Sequence, residues 1–166
     1  KKMKKKKKIS RVKKFDNKNN YEFIVNSKIG KNFKFVEPIN LYNCNIGDNV
    51  FVGPFVEIQK GVNIMENSRI SSHSFLCELV SVGKNCFIGH GVMFVNDLFK
   101  SGKTGGNSKN WLKTTIENNV LIGSNSTILP VKIKKGCVIG AGSVVTKDCN
   151  IKGIYVGNPA KLIRKL

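Results

Sequence analysis

The sequence predicts an all-β domain wound as a parallel β-helix, and three observations carry the prediction. Apolar residues recur every six positions: Ile46, Val52, Ile58, Ile64, Ile70, Leu76, Val82, Ile88 and Phe94 follow one another without a slip. Ile116, Ile122 and Ile128 resume the count, and Ile133, Ile139, Val145 and Ile151 continue it after a five-residue step. Four positions after these markers stands a small or β-branched residue (Val50, Val56, Val62, Ser68, Ser74, Val80, Cys86, Val92, then Val120, Ser126, Cys137, Ser143, Cys149 and Tyr155). Glycine often follows the marker directly, as at Gly47, Gly53, Gly83, Gly89, Gly123 and Gly140. A period of six matches neither the 3.6 of a helix nor a lone alternating strand. It matches short strands joined by tight turns, three hexapeptides to a triangular coil. Coils stacked roughly 4.8 Å apart then satisfy one another's backbone hydrogen bonds. On this count the prism has about six coils, its markers inside and its turn residues outside.

The elements follow in chain order. Residues 1 to 20 stand outside the repeat. Lys1, Lys2, Lys4 to Lys8, Arg11, Lys13, Lys14 and Lys18 face the single acid Asp16, and only Ile9, Val12 and Phe15 offer apolar surface. Such a segment reads as a disordered basic arm, and no apolar stretch follows the lysines as a signal peptide would require. The arm holds +10 of the formal charge of +19, so +9 remains for the other residues of the 166. Residues 21–166 form the predicted domain, with Ile29, Phe35 and Leu41 as its first markers. Between Phe94 and Ile116 the chain takes twenty-two positions where six would serve, and residues 96–114 are rich in Gly, Lys and Asn. A long loop on a rigid scaffold is a functional candidate. A short helix or tail with a basic face ends the chain. No apolar run is long enough to span a membrane.

The repeats resemble the hexapeptide-repeat acyltransferases, whose prism is a left-handed β-helix; the hand comes from the resemblance alone. Within that family, SHSFLCELVSVGKNCFIGHGVMFVNDLF (residues 72–99), IGAGSVVTKD and YVGNPAKLIRKL look like the N-acetyltransferases of nucleotide-linked amino sugars. The resemblance implies acetyl-CoA as cosubstrate, a dTDP- or UDP-linked deoxyamino sugar as acceptor in cell-surface glycan biosynthesis, and a homotrimer with active sites between subunits.

The two histidines, His73 and His90, fall on turns of successive coils, because Ile70 and Ile88 lie eighteen apart. Glu78 and Asn96 hold equal offsets from Leu76 and Phe94 and stack likewise, which groups His73, Glu78, His90, Asn96 and Asp97 in one region of the surface. Acetyl transfer needs a neutral amine, a reachable thioester carbonyl and a stabilised oxyanion. Histidine titrates near neutrality and can take the ammonium proton, so His90 is the first candidate base and His73 the second. Asn96 and Asp97 can hydrogen-bond the amine and orient it. Related O-acetyltransferases carry a histidine near the position of Asn96; its replacement here favours an amine acceptor, already nucleophilic when neutral, over a hydroxyl. Glu78, Phe99, Trp111 and Lys113 are substrate-binding candidates, the aromatics as pins on a neighbouring subunit, and Lys100, Lys103, Lys109 and Lys113 as phosphate contacts. Gly123, Ser124, Gly140, Ala141 and Gly142 allow close approach of a pantetheine arm. By resemblance Asn158, Pro159, Ala160 and Lys161 lie near the nucleotide end of CoA, with Arg164 and Lys165 also able to pair with its phosphates.

Five cysteines without a CxxC pair read as packing residues of a reducing cytoplasm. Two histidines cannot supply the three-histidine zinc set found on the same prism elsewhere, so no metal is expected. Two rivals remain. One is a sugar O-acetyltransferase of the same fold. The other is a non-catalytic binding or scaffold protein that presents the basic arm to an anionic partner. Small phosphorylated ligands account for the charge on the prism better than nucleic acid does.

Overall fold

The computed structural model describes residues 11–19, 21–100, 102 and 108–166. Successive short strands fall on three successive sheets: Lys34–Phe35 on the first, Ile39–Tyr42 on the second, Asn45–Ile46 on the third, and Phe51–Val52 back on the first. Eighteen residues complete a regular coil, so that Arg69 and Ile70 pair in parallel with Phe87 and Ile88. The result is a parallel β-solenoid of about 7 turns, consistent with a left-handed β-helix.

Side-chain alternation explains the period. In the short strands of the coil the residue before the marker points out and the marker points in, so Ile58, Ile70, Leu76, Val82, Ile88, Ile122 and Ile128 are fully buried. Removing such a side chain from water is worth about 1.5–3 kcal/mol, and the stack repeats that gain along its length. The small inward position does a second job at the corners. Ser68 Oγ donates to the Gly83 carbonyl at 2.8 Å and Ser74 Oγ to the Gly89 carbonyl at 2.9 Å, satisfying buried turn oxygens that strand pairing leaves open.

The early markers Ile29, Phe35 and Leu41 pair with Ile46, Val52 and Ile58, and an additional strand, Ile24–Val25, precedes them. Among the described residues the first sheet holds nine strands, of which the two outermost are antiparallel, so seven parallel strands replace the expected six. Three expectations need correction. Ile151 is 46% exposed, and Tyr155 takes the inward place opposite Ile139. The Tyr155 hydroxyl reaches back to donate to the Ile151 carbonyl at 2.8 Å and accepts from its amide at 3.2 Å, which ties the last bend.

The chain ends in a strand, Lys161–Lys165, and not in a helix; it lies antiparallel on Gly153–Val156 and covers the open edge of the first sheet. A basic antiparallel strand blunts an edge that would otherwise template pairing with another chain. The opposite end is closed in the same way. Lys13–Lys14 pairs antiparallel with Lys34–Phe35, Phe15 packs against Tyr21 and Phe33, and Lys13 forms an ion pair with Glu37. Residues 11–19 therefore belong to the fold. Phe15, set beside the aromatic cluster of Tyr21, Phe23, Phe33 and Phe35, supplies apolar contacts that the lysine run obscures. Lys1, Lys2, Lys4 to Lys8 and residue 20 lie outside the described residues. Among the described residues no helix is long and apolar enough to cross a membrane.

Candidate functional site

The passage from the first sheet to the second builds one edge of the prism from three-residue corners: Gly53-Pro54-Phe55, Ser71-Ser72-His73, Gly89-His90-Gly91, Gly123-Ser124-Asn125 and Gly140-Ala141-Gly142. Backbone bonds run up this edge from coil to coil. His73 N donates to Pro54 O at 3.0 Å, Gly91 N to Ser72 O at 2.9 Å, Asn125 N to His90 O at 2.7 Å and Gly142 N to Ser124 O at 2.8 Å. The first corner position is small because the next coil passes directly over it; a Cβ on Gly123 would stand 2.4 Å from the Ala141 amide nitrogen. The last turn continues the edge, with the Val144 amide on the Gly157 carbonyl at 2.9 Å and the Ala160 amide on the Val144 carbonyl at 2.8 Å. The structure thus sets His73, His90, Ser124, Ala141, Asn158, Pro159 and Ala160 along a single edge, with Lys161 and Arg164 on the capping strand beyond.

His90 is exposed and held from two sides. Ser72 Oγ and His90 Nδ1 share a hydrogen bond of 2.8 Å from the coil before, and the His90 amide donates to Ser124 Oγ at 3.1 Å in the coil after. His73 occupies the following corner position, at φ 61°, and its ring stacks on Phe55 with centroids 4.7 Å apart and planes 16° from parallel. The two imidazoles therefore occupy different corner positions: Ser72 lies beneath His90, while Phe55 lies beneath His73.

Glu78, Asn96 and Asp97 lie on the next edge, where the second sheet passes to the third. Asn96 Nδ2 donates to the Glu78 carbonyl at 3.3 Å, which places the two on successive coils as their offsets require. Asp97 Oδ1 accepts from the Phe99 amide at 2.8 Å and so turns the chain into the long loop. The Leu112 amide donates to the Asn96 carbonyl at 2.8 Å, so the loop leaves from and returns to this edge. Phe99 is 63% exposed, Trp111 is half-buried, and Lys100, Lys109 and Lys113 are exposed. Lys103 lies outside the described residues. Below Glu78 a polar string continues. Its amide donates to Gln59 Oε1 at 3.3 Å, Gln59 Nε2 donates to Glu57 Oε1 at 3.1 Å, and Tyr42 Oη donates to the same oxygen at 3.3 Å. Burial, with Glu57 and Glu78 nearby, pushes the Tyr42 hydroxyl above its usual range, keeping it a donor.

The histidines and the Glu78, Asn96, Asp97 group thus border opposite sides of the second sheet and do not form one patch within a subunit. Six residues of extended chain separate His90 from Asn96, up to about 20 Å. A coil count measures height along the prism, which the two groups share, but equal height does not put them on the same edge. Ser72 escaped the sequence reading although it stands eighteen residues before His90, the stacking interval itself. Phe55 and Glu57 carried no signal beyond being outward-facing positions.

The five cysteines are free and buried. Burial raises every one of their thiols, Cys77 to about 11 and Cys149 to about 12, which removes them as nucleophiles near neutrality. Among the described residues no three His, Cys, Asp or Glu side chains gather into a group that could hold a metal ion.

The family described as hexapeptide repeat of succinyl-transferase matches residues 79–93 and 113–147, and that described as bacterial transferase hexapeptide (six repeats) matches residues 43–77. The bifunctional protein GlmU of Clostridioides difficile is 30% identical over 148 residues, covering 86% of this chain and 29% of the relative. GlmU of Wigglesworthia glossinidia brevipalpis is 43% identical over 108 residues, covering 64% of this chain and 21% of the relative. The chain thus spans less than a third of the length of these curated relatives. Among solved structures, a mutant of AntD, an N-acyltransferase from Bacillus cereus in complex with dTDP-4-amino-4,6-dideoxyglucose and coenzyme A, is similar with a TM-score of 0.74 at 25% identity, covering 84% of this chain and 83% of that one. AntD in complex with dTDP and 3-hydroxybutyryl-CoA is similar to the same degree, with a TM-score of 0.74 at 25% identity and 84% and 82% coverage.

Proposed function

Because this chain belongs to the bacterial hexapeptide-repeat transferases, we propose that it transfers the acetyl group of acetyl-CoA to the amine of a dTDP- or UDP-linked deoxyamino sugar. The observation that carries the reading is the division of the candidate residues between two edges of one prism. The edge bearing His90, Ser124 and the small residues above them suits an extended acyl-CoA, because Ala141 and Gly142 are exposed and carry little or no side chain to hold a ligand off the backbone. The edge bearing Glu78, Asn96 and Asp97 offers carboxylates and an amide to an amino sugar, with the lysine-rich loop alongside for its diphosphate. No single subunit joins the two. A neighbouring copy can, by laying its Asn96 edge against this His90 edge, and a closed trimer repeats that contact three times. The outer row of the first sheet runs Lys34, Phe51, Arg69, Phe87 at 38% exposure and Leu121 at 45%; Arg69 lies over the Phe51 ring, and the two aromatics and the leucine give such a contact apolar surface, whereas the third sheet presents Asn45, Asn63, Ser81 and Lys132.

In the proposed reaction the neutral amine, held by Asn96 and Asp97, attacks the thioester carbonyl. The tetrahedral intermediate collapses, the C–S bond breaks, and the departing sulfur leaves as CoA thiol. His90 takes the proton the nitrogen loses and passes it to the departing thiolate. AntD's complexes with an amino-sugar nucleotide and with acyl-CoA support the two substrate classes.

The test is thiol release from acetyl-CoA with purified protein and a panel of dTDP- and UDP-amino sugars, run beside their hydroxyl analogues and with 3-hydroxybutyryl-CoA as a competing donor. Release with an amine acceptor alone supports the proposal. Release with the hydroxyl analogue identifies the O-acetyltransferase, and preference for the longer donor replaces acetyl by hydroxyacyl. No release with any acceptor leaves the scaffold reading.

A further inference from the structure

We propose that Ser72 is a positioning residue that holds the His90 imidazole as its Nδ1–H tautomer, leaving Nε2 as the proton acceptor; the catalytic meaning of this rests on the reading of His90 as base. The two side chains come from corners of adjacent coils, with Ser72 Oγ 2.8 Å from His90 Nδ1. The backbone beneath them is fixed independently. The Gly91 amide donates to the Ser72 carbonyl at 2.9 Å, the Asn125 amide to the His90 carbonyl at 2.7 Å, and the His90 amide to Ser124 Oγ at 3.1 Å. Glycine on both sides of His90 leaves the ring without a flanking side chain, so Ser72 is the group that orients it. A histidine base is commonly oriented through its second nitrogen by a carboxylate or a carbonyl. A serine hydroxyl does this without adding charge. Its oxygen accepts from Nδ1–H in the neutral ring and goes on accepting when the ring becomes imidazolium, so the contact survives proton uptake at Nε2.

With two histidines in the chain, ring-nitrogen spectra of protein labelled with 15N-histidine are interpretable once His73→Gln has assigned one set. The expected result is a wild-type His90 protonated at Nδ1, with its nitrogen shifts moving toward those of free histidine in Ser72→Ala and staying in place in Ser72→Thr, which keeps the hydroxyl. In the acyl-transfer assay Ser72→Ala lowers kcat about tenfold, on the scale of one lost hydrogen bond, with KM for acyl-CoA within about twofold; Ser72→Thr restores most of the loss. A wild-type His90 protonated at Nε2, or shifts indifferent to Ser72→Ala, overturns the proposal. Should His90→Gln itself turn over at the wild-type rate, the base assignment falls, while the nitrogen shifts still decide whether Ser72 sets the tautomer.

Discussion

Placing a methyl group on Gly89 tests whether the spacing of the coils is what positions His90. A Cβ there would lie 2.6 Å from the Ser124 amide nitrogen, 2.7 Å from the Ile122 carbonyl oxygen and 2.9 Å from the Gly123 carbonyl carbon. All three are backbone atoms of the next coil and none can rotate away. Relief to ordinary contact requires the coils to part by roughly 1 Å, the scale on which close packing fails. That movement stretches the Gly89 to Ile122 bond of 2.8 Å and the Asn125 to His90 bond of 2.7 Å. Overpacking of this kind costs about 1–3 kcal/mol, and two weakened hydrogen bonds add about 1 kcal/mol. With a urea dependence of about 2 kcal/mol per molar, Gly89→Ala should lower the unfolding midpoint by roughly 1–2 M at matched protein concentration. A misplacement of about 1 Å at His90 should also cost roughly 100-fold in kcat/KM. Gly142→Ala is the internal comparison, because among the described residues no atom beyond its chain neighbours lies within 4 Å of its Cβ position and only its φ of 68° opposes a side chain. Its cost is the left-handed conformation alone, about 1–2 kcal/mol. Unfolding of Gly89→Ala at the wild-type midpoint with wild-type kcat/KM would refute the claim that coil contact sets the site.

Three further outcomes are expected. His90→Gln and Asn96→Ala should each lower turnover by about 10²–10⁴, the range for a proton acceptor or an orienting group; wild-type rates in both would remove the assigned residues. The Ser71 hydroxyl is buried with no hydrogen-bond partner among the described residues, so Ser71→Ala should unfold no more readily than wild type and gain up to about 1 kcal/mol. A clear loss in urea would reveal a partner. The buried thiols should resist a thiol reagent at pH 8 and all react in denaturant. Because folding raises their pKa values, the native state keeps protons that the unfolded chain gives up. Stability should therefore be unaffected below about pH 8.5 and fall as pH rises from there toward the folded values of about 11 for Cys77 and about 12 for Cys149. A flat alkaline profile in calorimetry would contradict the burial of these sulfurs.

Much of the coil was legible in single residues. The run from Ile46 to Phe94 recurs at the interval that one short strand and its turn consume, so counting in sixes places each of these markers inside. Counting in eighteens stacks Asn96 on Glu78. The pattern weakened at the ends. There the prism has a neighbour on one side only, and the chain closes it with whatever covers the edge. Phe15, hidden among lysines, packs on Tyr21 and Phe33. Ile151 yields its inward place to Tyr155, whose hydroxyl ties the final bend, and Lys161–Lys165 pairs as a strand where a basic helix or tail was expected.

The sequence alone therefore determined the repeat, the inward residues and the height of each candidate along the prism, because these depend on local alternation and on a fixed number of residues per coil. Only the tertiary structure decided which side chains meet at each corner. It put His90 on Ser72 and His73 on Phe55, on the edge across the second sheet from Glu78 and Asn96. Corner geometry, left-handed φ values and contacts between coils are set by packing eighteen residues away, and a periodic pattern carries no record of which side of a turn a side chain leaves from.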